Sequence, residues 1–310
     1  MQLKIAIISL NGESSKMIAK ECEKYFSKVD LLNLRDFEVQ VNGKVKVANC
    51  QKDLEKYDCI YVRGSYKYAL LERSITRALN QDIYFPIKQN AFTLGHDKFL
   101  TLLELQKNNI SIPRTHFAAT TRIAKKILDE VDFPVIMKVS EGTHGRGVMI
   151  AESKKSAYTI LDLLEDFNKP YLIQEFVKTK NTSDIRVIVF KEKVLATYKR
   201  VACEGEVRAN VHSGGTREPH ELTQEEAKLA VESAKAIGAD LCGVDILNAE
   251  KPSVIEINLS PGVSQLTEVC KMNVPDLIAK ELYEQTKKFI KRRKEKDKKK
   301  LKKIELKKIE

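Results

Sequence analysis

The hydrophobic pattern begins with a continuous run. LKIAIISL, residues 3–10, is apolar at nearly every position and has the length of a strand buried on both faces. Asn11 and Gly12 turn the chain, and Met17, Ile18, Cys22 and Tyr25 then recur at helical spacing. VDLLNL, CIYV and DIYFP repeat the strand signal. This β-α-β rhythm predicts a small parallel α/β domain over residues 1–88. A helix is expected over 97–108 (DKFLTLLELQKN) and another from about 121, before the strand runs FPVIMKV and YLIQEFV.

From Asp184 the period changes. DIRVIVF, a KEK turn and VLATYKRVA predict an antiparallel hairpin with basic residues at its tip. Thr223 opens T-Q-E-E, a capping box; Ala227, Ala230, Val231, Ala234 and Ile237 line one helical face, and Gly238 closes it. LCGVDIL and SVIEINLSPG supply two further strands, and Pro275 opens a final helix. No internal repeat is found.

Composition adds one correction to that outline. The 310 residues are 43% hydrophobic and 31% charged, a globular balance, with a net charge of +11 that invites a nucleic-acid reading. Residues 287–310 alone hold 14 Lys or Arg against 4 Asp or Glu, so the other 286 residues, with 40 basic and 39 acidic groups, are nearly neutral. Basicity belongs to this tail. Its default reading is a solvated, partly helical extension; the functional one is an electrostatic anchor for RNA, a ribosome or an anionic membrane surface.

Six cysteines without a C-x-x-C pair point to reduced thiols in a cytoplasmic protein. Five histidines without H-E-x-x-H spacing argue against zinc. No run is long enough to span a membrane, and MQLKIAIISLNG reads as a first strand rather than a signal peptide.

Three places carry candidate chemistry. KVSEGTHGRGV, 138–148, sets Gly142, Gly145 and Gly147 after a strand, which matches neither stock phosphate motif. Exposed backbone N–H groups there could cradle anionic oxygens, or the stretch could be a hairpin tip. Glu256 and Asn258 stand at i and i+2 on one strand face with Asp245 nearby, a carboxylate and amide set that suits Mg2+; a hydrogen-bonded, water-facing surface is the alternative. Asp184 and Arg186 repeat the i,i+2 pattern, and Lys199, Arg200 and Arg208 follow as cations able to neutralise a transferring phosphoryl group, with Lys138 pointing back at the same phosphates.

The blocks K-V-S-E-G-T-H-G-R-G-V, Q-E-F-V, D-I-R, K-R-V-A-C-E-G-E-V-R-A-N-V-H-S-G-G, G-V-D-I-L and E-I-N-L-S-P-G stand in that order. Over most of residues 1–285 the chain resembles the RimK-like branch of the ATP-grasp superfamily. The resemblance implies an α/β (α+β) fold in which a small parallel α/β domain, 1–88, precedes two α+β subdomains, 89–175 and 176–286, that clasp ATP, with 287–310 as an added basic tail. It implies an ATP-dependent carboxylate–amine ligase that forms an acylphosphate and joins an amino acid, glutamate in the first place, to a protein C-terminus or a coenzyme. Mg2+, or Mn2+ in its place, is the implied metal. A homo-oligomer is the implied assembly.

Carried over by position, Lys98, Lys138, Glu141, Gly142, Thr143, Gly145 and Gly147 would bind the ATP phosphates. Gln174, Glu175, Phe176 and Val177 would line the adenine cleft, and Asp184, Arg208 and Asn210 would complete the nucleotide site. Asp245, Glu256 and Asn258 match the metal ligands, and Arg200 would stabilise the acylphosphate. Arg63 and Gly64 are candidate acceptor contacts. His144 and Arg146 in the glycine loop depart from the family pattern, and the tail lies outside it. A contrasting possibility is a ribosome- or RNA-associated protein acting through its tail, with a regulatory ATP site.

Overall fold

The computed structural model describes residues 2–49, 53–79, 82–139, 147–165, 170–203, 215–264 and 266–306. The chain begins with β1 (Lys4–Ser9), α1 (Glu13–Cys22), β2 (Lys28–Asn33), a hairpin of β3 (Phe37–Asn42) and β4 (Lys44–Asn49), then β5 (Cys59–Val62) and α2 (Ala69–Ala78). β1 pairs in parallel with both β2 and β5. Its residues from Ile5 to Ser9 are all buried, as a central parallel strand covered on both faces requires.

Two details differ from the sequence reading. DIYFP forms only a single parallel bridge, Cys59 to Tyr84, because Pro86 removes the N–H that would extend the ladder. The β3–β4 hairpin was not anticipated, although Asn42-Gly43 between alternating valines is a two-residue hairpin signal.

Helices α3 (Gln89–His96) and α4 (Lys98–Lys107) follow. Within the segment 89–175 these two helices pack on the final sheet and on α2, and Ala91, Phe92 and Leu105 enter the larger of two cores. The smaller core lies under β6 (Thr115–Ala118), α5 (Thr121–Glu130), β7 (Val135–Val139), β8 (Val148–Ala151), α6 (Lys154–Glu165) and β9 (Tyr171–Glu175). Their strands form an antiparallel sheet in the order β6-β9-β7-β8.

The last unit holds β10 (Ser183–Phe190), β11 (Lys193–Val201), β12 (Thr216–Pro219), α7 (Gln224–Ile237), β13 (Leu241–Leu247) and β14 (Ser253–Asn258), with sheet order β12-β11-β10-β13-β14. The expected hairpin is β10–β11, its turn narrowed to Lys191 and Glu192. Thr223 and Glu226 form the capping box of α7, and Gly238 ends it at φ 81°. α8 (Leu266–Cys270) leads into α9 (Val274–Leu306), which starts one residue before Pro275 and runs on through the basic stretch to Leu306. Its first turns return to the N-terminal unit, where Tyr283 meets the Phe26 ring edge-on at 5.3 Å and Tyr25 donates to Asp276.

Gly95 sits where α3 meets the loop after β14. A Cβ on it would stand 2.9 to 3.1 Å from three carbons of Leu259, which is 1% exposed. At an open helical site alanine would gain about 1 kcal/mol over glycine. Here crowding of about 1–3 kcal/mol outweighs that gain. Gly95→Ala should therefore lower the urea midpoint with an unchanged slope, whereas a raised midpoint would mean that Leu259 moves aside freely.

Candidate functional site

The five-stranded sheet has two faces of different chemistry. On one, Ile185, Val187, Val244 and Ile257 are buried in a common core with Ala230 and Ala234 of α7. The other carries charge. Register sets Asp184 opposite Arg200, Arg186 opposite Asp245, Asp245 opposite Glu256, and Asn258 opposite Gly243. Cross-strand partners share a face, so the i,i+2 pairs of β10 and β14 converge on one surface. A bulge beside Asp245 takes up Ile255 without moving Glu256 or Asn258 off that face.

The charges are closely paired. Arg186 donates from Nε and Nη2 to both oxygens of Asp245, at 2.6 and 2.5 Å. Arg200 donates to Asp184 at 2.5 and 2.8 Å, and its Nη2 also reaches Asp245 at 2.8 Å. Asp245 is 2% exposed and Asp184 8%. Burial alone would raise the Asp245 carboxyl, but the two guanidinium groups outweigh it and hold it at about 2. Burial pushes Asp184 up to about 6, helped by the Asp245 charge and opposed by Arg200 and, more weakly, by Arg186.

Two of the expected site residues have described ion-pair partners. Asp184 accepts both hydrogen bonds of the Arg200 fork. Lys199, expected among the phosphate cations, is opposite Ile185 on the apolar-side register and pairs with Glu218 at 2.8 Å. Strand alternation turns it away from the charged face. Arg200 itself keeps its place there, and its Nη1 donates to no described residue.

The second sheet contributes Lys138 and Gln174. Register puts Gln174 opposite Ile136 and Thr115, so Lys138, Gln174 and Thr115 share the face away from the small core. Lys138 Nζ donates to Gln174 Oε1 at 2.7 Å, and Gln174 Nε2 donates to Thr115 Oγ1 at 2.7 Å. Thr115 is a functional neighbour the sequence reading missed, since a lone threonine at a strand start carries no motif. Burial pushes the Lys138 ammonium down to about 8, against the pull of Glu256, and Lys98 adds to the lowering. Those two influences bring β7, β14 and the start of α4 to one place. Lys98 is the first residue of α4, whose N-terminus Asp97 caps by accepting from Leu100 N at 2.8 Å.

Glu175 accepts from Arg114 N at 2.7 Å, and its own N–H donates to Arg114 O, so that N–H is not available to a base edge. Phe176 and Val177 follow β9 and are half-buried. Gly147 is placed with φ 74°, at the base of the glycine stretch. Glu141, Gly142, Thr143, His144, Gly145, Arg146, Arg208 and Asn210 lie outside the described residues.

For a divalent cation the donor set is suitable. Glu256 makes no ion pair or hydrogen bond with a described residue, Asn258 offers an amide oxygen that accepts from Ser260 N, and Asp245 keeps one lone-pair site beyond its three hydrogen bonds. Among the described residues no cluster of three His, Cys, Asp or Glu is formed. Among the described residues, Glu256 is thus the carboxylate of this face that pairs with no arginine. Arg63 is buried, donates from Nη2 to Pro261 O at 2.9 Å on the loop after β14, and its Nη1 has no hydrogen-bond partner among the described residues.

The model of the RimK-like ATP-grasp domain matches residues 95–282. A probable alpha-L-glutamate ligase of Vibrio atlanticus is 32% identical over 282 residues, 89% of this chain and 94% of that protein. One from a Marinomonas species is 32% identical over 286 residues, 90% of this chain and 95% of its own length. The solved ATP-grasp ligase PsnB, in complex with a phosphomimetic variant of its minimal precursor, Mg and ADP, shares the fold with a TM-score of 0.71 at 15% identity, covering 92% of this chain and 99% of that one.

The paired face makes a stability prediction. Arg186→Met leaves Asp245 to share Arg200 with Asp184, and breaking a buried pair of this kind costs about 3–5 kcal/mol. Adding Asp245→Asn should restore part of the loss in a denaturation double-mutant cycle; no restoration would show that the two residues are not coupled.

Proposed function

The chain belongs to the RimK-like ATP-grasp family, and from that premise we propose that it is a glutamate ligase acting on the carboxyl end of a protein or coenzyme. Family membership makes it an ATP-grasp carboxylate–amine ligase. The proposal concerns the amino acid, the acceptor and the route.

In that route the acceptor carboxylate oxygen attacks the γ-phosphorus of ATP, the bond to the β-phosphate oxygen breaks and ADP leaves. The glutamate amine nitrogen then attacks the acyl carbon, inorganic phosphate departs with the bonding electrons, and the amine proton passes to solvent. Phosphoryl transfer of this kind asks the protein mainly for positioning and charge neutralisation.

The observation that carries the reading is Lys138. A half-buried ammonium that donates to the neutral amide of Gln174, with Lys98 and Glu256 as its charged neighbours and no described ion pair of its own, supports a seat for phosphate anions. Lys138, Lys98 and the glycine stretch ending at Gly147 would take the phosphates. Arg200 would present Nη1 to the acylphosphate, its orientation fixed by Asp184 and Asp245. Mg2+ would be held by Glu256, Asn258 and the remaining lone pair of Asp245, and when bound it neutralises phosphate charge. Arg63, seated on the loop that follows these residues, is the proposed contact for the acceptor.

Two experiments test this. With ATP, Mg2+, glutamate and host extract, Glu256→Gln should form ADP more slowly by on the order of 100-fold or more; unchanged ADP formation would sink the ligase site as drawn. Products of the unmodified protein, read by mass spectrometry, should carry the mass of glutamate.

The second concerns protons. Lys138 is held down at about 8, and phosphate anions favour its charged form, so nucleotide binding should take up a proton. At pH 8 the uptake should approach about half a proton, and affinity should fall as pH rises through 8. Calorimetry in buffers of different ionisation enthalpy reads this directly. An uptake that persists in Lys138→Met would assign the proton elsewhere.

A further inference from the structure

The last helix has two unlike halves. From Val274 it buries Ile278, Ala279, Leu282 and Thr286 and packs along α1. Its hold on the body ends where Phe289 meets the Tyr84 ring at 5.7 Å and Arg293 donates to Asp82 O at 2.9 Å. Every residue from Lys291 to Lys299 is exposed, yet the helix continues to Leu306.

Residues 291–300, KRRKEKDKKK, hold eight basic side chains, two acidic ones and no apolar one. At 100° per residue the cations fall on every side of the helix. A helix lying on a membrane needs an apolar face, and a coiled-coil strand needs an apolar seam; this stretch has neither. The acidic residues offset little: Asp297 lies 3.9 Å from Arg293 in an exposed i,i+4 pair.

Charge spacing narrows the partner. With a rise of 1.5 Å per residue, eight cations in ten residues put one charge per ~1.9 Å of axis. A nucleic-acid duplex carries one phosphate charge per ~1.7 Å. An extended acidic peptide cannot exceed one charge per ~3.3 Å. We propose that residues 291–300 of α9 form a docking helix for nucleic acid, gripping the phosphodiester backbone without reading its sequence.

The placement separates this surface from the nucleotide site. Asp82 and Tyr84 lie at the start of β5, Tyr84 bridging to Cys59. The opposite end of the parallel sheet carries Arg63, and beyond β1 stands Ser14, which together hold the loop 261–264 after the metal-ligand strand. Docking would thus tether the ligase and leave its site open.

The test compares the full chain with a variant in which the eight basic residues of 291–300 become Gln, which keeps the helix but not the charge. Binding to a labelled RNA duplex, a DNA duplex of the same sequence and oligoglutamate is followed by anisotropy at several salt concentrations. The full chain should bind both duplexes, with log affinity falling against log salt at a slope on the order of −5, and RNA against DNA decides which nucleic acid is preferred. The Gln variant should lose at least 10-fold in affinity and most of that slope while forming ADP at the unmodified rate. Equal duplex binding by the two proteins, tighter binding of oligoglutamate, or loss of ADP formation in the Gln variant would each overturn the proposal. A failure of the ligase reading would leave the binding result untouched.

Discussion

Taking Asp245 and Arg186 out of water costs several kcal/mol for each ion unless their charges are mutually satisfied. The sheet meets that constraint by continuing the pairing sideways, from Asp245 to Arg200 and from Arg200 to Asp184, so that two acids and two guanidinium groups close a network of five hydrogen bonds across three strands. Each bidentate fork requires coplanar approach, which locks the side chains against one another. Much else on the charged face follows from this. Arg200 is aimed by its acids, Asp245 is held ionised, and Glu256, next in the cross-strand row, is the surplus carboxylate.

The network also decides where adjustable charge can reside. Arginines do not lose their protons in proteins, so Arg186 and Arg200 present fixed charge whatever occupies the cleft. Lys138 is different: it stands on the other sheet, half-buried, hydrogen-bonded to a neutral amide and brought down to about 8. A rigid, internally neutral cluster on one wall and a responsive ammonium on the other suit a ligand that arrives carrying several negative charges. The amide of Gln174, itself fixed by Thr115, orients that ammonium without neutralising it.

The local elements were legible because they rest on short-range rules. The capping box at Thr223, the β10–β11 hairpin and the shared face of Glu256 and Asn258 all follow from spacing within a few residues. What stayed hidden depends on which strands lie side by side. Nothing in D-I-R shows that Asp184 will be spent on Arg200, because that follows from the register of two strands. Lys199 and Arg200 look alike as a basic pair until the same register sends one to Glu218 and the other to Asp184. Thr115 gains its role only because β6 pairs with β9. The hairpin at Asn42-Gly43 carries a turn signal in the sequence, but only Val39 and Val47 pack against the core, while Val41 and Val45 beside the turn are 80% and 56% exposed.

The uneven distribution of charge along the chain has a structural counterpart. The body is nearly neutral overall, and Arg186 and Arg200 are matched by acids within hydrogen-bond reach, so it has little long-range field of its own. Residues 287–310 carry most of the net charge, and their exposed stretch from Lys291 continues a helix that is joined to the N-terminal unit through Tyr283, Phe289 and Arg293. A flexible tail of the same composition would attract polyanions equally well at long range but would let the body tumble. Continuity of the helix fixes the direction in which the body is presented to whatever the lysines hold. The same stretch of sequence can thereby set both the location of the ligase and its orientation, while the described anchors of α9, Tyr283, Phe289 and Arg293, engage the N-terminal unit rather than the paired charges of the sheet.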